Sequence, residues 1–131
     1  MKLKTQGPII LVGTLDTKGE EFFYLKEQLT AAGAETLVVD VGVVGAPLFV
    51  PDVSREEIAG WAGTSLDQLV RDKDRGRAVS AMADGLAAWA RDRQAKHPPA
   101  GMLAIGGSAG TTIASAGMRQ LPVGVPKVMV S

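Results

Sequence analysis

Gly13-Thr14-Leu15-Asp16-Thr17-Lys18-Gly19 and Gly106-Gly107-Ser108-Ala109-Gly110-Thr111 decide how this chain reads. Each stretch follows a short apolar run, Ile9-Ile10-Leu11-Val12 or Met102-Leu103-Ala104-Ile105, and each precedes a helical pattern. A strand, then a loop of Gly, Ser and Thr, then a helix is how an open α/β sheet builds an anion site. The loop amides and the helix N-terminus converge on the ligand. Two such loops predict two walls of one phosphate-binding crevice.

Working outward, Pro8 to Gly13 reads as a central parallel strand, because its apolar run suits burial on both faces. A helix from Gly19 to Ala32 follows, with Phe22, Leu25, Leu29 and Ala32 as its core stripe and Gly33 ending it. Glu35 to Val41 reads as a second strand, and Gly42 to Pro51, which has no periodicity, as a loop. Ser54-Arg55-Glu56-Glu57 is a capping box opening a short helix that should bury Ile58 and Trp61. Thr64-Ser65-Leu66-Asp67 opens a further turn of helix. A long helix is expected from Asp74 to Ala95, with Val79, Met82, Leu86 and Trp89 on one face, stopped by Pro98-Pro99. Gly101 to Ile105 is the third strand, Thr111 to Arg119 a short helix, and Pro126 to Val130 the fourth strand. Phe22, Trp61, Met82 and Trp89 are expected in the core.

This alternation predicts an α/β fold, a Rossmann-like open parallel sheet of about four strands with helices on both faces and right-handed crossovers. The expected strand order is 2-1-3-4. The sheet then reverses direction between strands one and three, and ligands of open α/β sheets bind at that switch point. The loops 13–19 and 106–111 flank it. The fourth strand would leave an open edge. Residues 1–131 are therefore expected to be a single domain that is a fragment of a longer protein, or that assembles as a homo-oligomer through that edge.

Lys+Arg and Asp+Glu both number 14 among the 131 residues, so the formal net charge is zero. That balance carries no electrostatic footprint for nucleic acid or an anionic membrane. The chain has no cysteine, and His97 is its single histidine. Disulfides, thiolate or histidine metal clusters and a cysteine nucleophile are excluded, and a cytoplasmic location is expected. Met1-Lys2-Leu3-Lys4 looks like a basic leader, yet the apolar run from Ile9 to Val12 is shorter than a signal-peptide core, and no run approaches the roughly 20 residues of a membrane span.

Thr14 and Thr17 hydroxyls would bind phosphate oxygens, and Lys18 would supply a point charge. Asp16 could hold Mg²⁺ through water or bind a ribose hydroxyl. The alternative is a capping box at Thr17-Lys18-Gly19-Glu20, worth about 1 kcal/mol. The string is neither a P-loop nor a Gly-x-Gly-x-x-Gly fingerprint. In the second loop, Gly106 and Gly107 allow close backbone approach, and Ser108 and Thr111 add hydroxyls; the alternative is an ordinary tight turn. Gly106 to Gly110 also matches the Gly-x-Ser-x-Gly nucleophile elbow, but no histidine follows Ser108 to complete its triad. Asp40 either binds ribose hydroxyls or caps its own loop. The charges of Asp74-Arg75-Gly76-Arg77 either reach phosphates or form a solvated helix start, and His97 reads as a surface residue.

The Gly13 to Glu21 string, the Asp40-Val41-Gly42-Val43 element, Asp52-Val53-Ser54 and the Gly106 to Thr111 loop together resemble the family of the tomato mosaic virus resistance protein, which includes uncharacterised bacterial and fungal proteins. The resemblance runs in order along the chain. It implies a Rossmann-like ATP-binding domain at the N-terminus of a longer, two-domain protein, of which residues 1–131 are the N-terminal fragment. The expected nucleotide contacts are then Gly13, Thr14, Asp16, Thr17, Lys18, Asp40, Gly106, Gly107, Ser108, Gly110 and Thr111. ATP, with Mg²⁺, is the expected ligand, and no protein metal site is expected. The other class of function is a catalytic half-domain acting on a small phosphorylated or carboxylated metabolite, with Ser108 or Lys18 in a chemical role.

Overall fold

Continuous apolar runs bounded by glycine and polar turns become the strands β1 (Ile9–Gly13), β2 (Thr36–Asp40), β3 (Gly101–Ile105) and β4 (Lys127–Val130). The computed structural model describes residues 7–131, and the leader read at Met1 to Lys4 lies outside the described residues. All pairings are parallel, in the order β2-β1-β3-β4. The register sets Leu11 beside Val38 and Leu103, and brings Gly13 level with Asp40.

Five helices connect the strands: α1 (Gly19–Ala31), α2 (Arg55–Trp61), α3 (Leu66–Asp72), α4 (Arg75–Lys96) and α5 (Ser108–Met118). Side chains alternate across a strand, so each face of the sheet carries its own core. Ile10, Val12, Val39, Met102 and Ala104 meet Ile58, Met82, Leu86, Trp89 and Ile113 of α2, α4 and α5. On the other face Leu11 and Val38 meet Leu15 and Phe22, with Leu25 and Leu29 of α1 packed against them. Crossovers leaving β1 in opposite directions put their helices on opposite faces.

α1 ends as its sequence predicts. Gly33 takes φ +90°, and the Ala34 N–H reaches back to the Leu29 carbonyl at 2.9 Å, a glycine-dependent helix stop. Residues 52 and 53 run along the outer side of β2, where Val53 bonds Val38 and Asp40 through the backbone. β4 is the other outer strand, with Val128 and Val130 about half exposed.

Two expectations are corrected. Trp61 is 41% exposed, because α2 rests on α4 through Ile58 and Ala59 and ends at Trp61. α5 begins at Ser108, three residues ahead of the expected Thr111, and the Thr111 N–H already bonds the Gly107 carbonyl at 2.9 Å. The second glycine loop therefore shrinks to Gly106-Gly107, and Ser108 belongs to the helix. Among the described residues no helix is long and apolar enough to cross a membrane.

α2 and α4 cross so closely that a Cβ on Gly85 would overlap the Ile58 carbonyl oxygen. Gly85→Ala improves helix propensity by nearly 1 kcal/mol but forces α2 off α4. A net loss of about 1–3 kcal/mol is expected from urea denaturation, with the secondary structure retained.

Candidate functional site

Asp40 closes β2 and is fully buried. Its Oδ1 accepts the Leu15 N–H at 3.2 Å and the Gly42 N–H at 2.9 Å. Burial pushes its carboxyl pKa up from the ordinary value. The Gly42 and Leu15 amides and the Arg55 guanidinium act against that rise, and the nearby Asp16 carboxylate adds to it. Of the two roles open to Asp40 in sequence, the geometry displays the loop-stabilising one, since no oxygen reaches the surface for a ribose hydroxyl.

Asp16 returns the tie from the β1 side. Its Oδ2 accepts the Val44 and Gly45 N–H groups, each at 3.0 Å, and lies 3.9 Å from Arg55. Arg55, the first residue of α2, also donates to the Gly45 carbonyl. The Asp16 side chain is only 4% exposed. Both amides and Arg55 engage Oδ2, while Oδ1 is buried with no hydrogen-bond partner among the described residues. Among the described residues no three His, Cys, Asp or Glu gather around a metal position.

A cavity of about 550 Å³ opens at the carboxyl ends of β1, β2 and β3. Thr14, Thr17, Lys18, Gly107 and Ser108 give it a polar lining, and Val41, Val43, Leu69, Val79, Met82 and Ile113 an apolar one. Two helices start at this cavity without the usual side-chain cap. α2, α3 and α4 are capped by Ser54, Ser65 and Asp74, which accept the N–H groups of Glu57, Gln68 and Arg77 at 3.0–3.1 Å. α1 and α5 carry no side-chain cap bond. The capping box read at Thr17 does not form, because the Thr17 hydroxyl pairs with that of Thr14 at 2.5 Å and Lys18 takes the N-cap position. First-turn amides at both helices are left for solvent or a ligand. α5 is the stronger positive pole, since its first turn has no acid whereas that of α1 has Glu20 and Glu21.

Thr14, Asp16, Thr17, Lys18, Gly107, Ser108 and Gly110 thus line one cavity. Gly13, Asp40, Gly106 and Thr111 do not. A Cβ on Gly13 would enter the Phe22 ring, and one on Gly106 would press on Gly110 at 3.0 Å, so both glycines serve close packing. The Thr111 hydroxyl donates to Ser131 Oγ at 3.2 Å. His97 caps the end of α4, ahead of β3, while Ser108 follows β3, so the two stand at opposite ends of that strand. The lining residues that the sequence reading leaves unassigned include Lys73 and the wall residues Leu69, Val70 and Ile113; Arg75, for which two readings stood open there, also lines the cavity.

Residues 7–131 match the N-terminal domain of an uncharacterised protein family, UPF0261. The chain belongs to that family. A UPF0261 protein of Clostridium tetani is 47% identical over 123 residues, covering 94% of this chain and 30% of the relative. One from Mesorhizobium japonicum is 46% identical over the same shares. The "ToMV susceptible protein tm-1(GCR26)" of Solanum lycopersicum is 27% identical over 141 residues, 94% of this chain and 18% of that protein. The chain spans about a third of the length of its bacterial UPF0261 relatives.

In this UPF0261 domain the Asp40 carboxyl titrates higher when folded than when unfolded. Between the two values the folded state holds the extra proton, so this group's contribution to stability falls as pH rises through that interval. Asp40→Asn keeps an acceptor for both amides and removes the charge. It is expected to flatten that part of the profile and to be no less stable than the parent at neutral pH. Asp40→Ala leaves two buried N–H groups unpaired and should lose about 2–4 kcal/mol. Urea denaturation between about pH 4 and pH 8 checks both.

Proposed function

We propose that this domain binds ATP or a related nucleotide across the carboxyl ends of β1 and β3. The phosphates lie against the N-terminus of α5 and the Thr14 to Lys18 turn, and the ribose and base lie along the apolar lining. The observation that carries this reading is the pair of uncapped helix starts, with Lys18 beside one of them, at one cavity. Unpaired N–H groups at a helix start, the positive end of its dipole and a lysine are what a phosphate seeks. The cavity volume of about 550 Å³ is within the range of small-molecule sites, roughly 300–1,000 Å³. The Gly13 to Lys18 string belongs to the resemblance that implies an ATP-binding domain, and this supports the same ligand. Ser108 and Lys18 act as binding groups. A nucleotide ligand and a chain without cysteine fit a cytoplasmic protein.

Calorimetric titration of the chain with ATP, with and without Mg²⁺, tests the proposal. Saturable binding is expected, and Lys18→Ala, which removes a partly exposed charge, should weaken it about two- to fivefold. Ser108→Pro is the sharper variant. Proline suits the first position of a helix, so it removes one amide donor without breaking α5. The extended backbone of Gly107, φ −82° and ψ −156°, tolerates a following proline. About a tenfold loss of affinity is expected, while Ser108→Ala changes it less. A folded chain that takes up no nucleotide overturns the reading.

A further inference from the structure

Lys73 has φ 51°, the one positive value at a non-glycine position among the described residues. It ends α3 and stands two residues ahead of Arg75, where α4 begins. Glycine or asparagine sits in that backbone region with less strain than lysine. Lys73 and Arg75 both line the cavity that Lys18 and the α5 start line. Of their neighbouring acids, Asp74 lines the same cavity while capping α4, and Asp72 is paired. Asp72 pairs with Arg77 at 3.1 Å, and Asp74 Oδ1 accepts the Arg77 N–H at 3.0 Å as the cap of α4. Among the described residues neither Lys73 nor Arg75 forms an ion pair. Two unpaired cations therefore stand at one corner of the cavity, one of them on the left-handed residue that ends α3.

We propose that Lys73 and Arg75 form an anion clamp at the α3–α4 corner, which makes the site selective for the number of phosphates on its ligand. The inference rests on the nucleotide reading above and extends it. A monophosphate is satisfied by the α5 amides alone. A triphosphate reaches from those amides to the second group of cations, so affinity rises from AMP through ADP to ATP. Exposed charges are screened by salt, so the gain of ATP over AMP shrinks as ionic strength rises.

The test compares the parent chain with the double variant Lys73→Asn, Arg75→Gln, titrating ATP, AMP and inorganic tripolyphosphate. Asparagine tolerates the left-handed backbone, so the α3–α4 turn is kept, and circular dichroism verifies the fold. ATP and tripolyphosphate should each weaken about tenfold, the sum of two exposed charge contacts, while AMP stays within about twofold. An unchanged ATP-to-AMP ratio in the folded variant overturns the clamp and leaves the nucleotide reading standing. Parent binding of tripolyphosphate without binding of ATP or AMP overturns the nucleotide reading. The clamp then stands if the variant loses tripolyphosphate and falls if it does not. No binding of any of the three overturns both.

Discussion

One buried carboxylate joins the ends of β1 and β2, and the site depends on it. Asp40 is level with Gly13 in the sheet and holds the first amide beyond Thr14 together with the amide of Gly42. Two strands end there in loops that would otherwise have no common anchor. Asp16 answers from the β1 loop by holding the amides of Val44 and Gly45. Gly42 makes this exchange possible, since a Cβ there would stand 2.7 Å from Asp16 Oδ1. Arg55 lies beside Asp16 and lowers the cost of keeping two carboxylates out of water. The two loops become one wall, and the cavity keeps its shape because that wall is pinned from both sides.

The same division of labour governs the helix ends. At the starts of α2, α3 and α4, Ser54, Ser65 and Asp74 satisfy an orphan amide locally. α1 and α5 are left without such a cap. Two glycines bring α5 directly off β3, so its first turn stands beside the cavity instead of behind a longer loop. The cavity therefore meets both kinds of helix start, the capped start of α4 at Asp74 and Arg75 and the uncapped starts of α1 and α5.

Much of this architecture is written in short-range patterns. The apolar runs at 9–12, 37–39 and 102–105 mark strands because a strand buried on both faces has no room for polar side chains. Their alternation with helical segments leads to the order β2-β1-β3-β4 through the handedness of crossovers. Ser54 and Asp74 announce helix starts because a cap acts within three residues. The start of α5 is less legible. Ser108 and Gly110 have weak helix propensity, and packing against the sheet overrides it.

The amino-acid sequence by itself determined the fold class, the strand order and the neighbourhood of the cavity, because periodicity, capping and glycine placement act between residues close in the chain. Only the tertiary structure decided where each candidate sits and what it touches. Asp40 is a buried tie because Leu15, 25 positions away, donates to it. Trp61 is exposed because α2 meets α4 one turn earlier. Lys73 and Arg75 border the cavity because α3 and α4 fold back beside loops that lie far from them in sequence. Burial, partner choice and a shared cavity depend on distances across the fold, and those exist only once the sheet and its helices have packed.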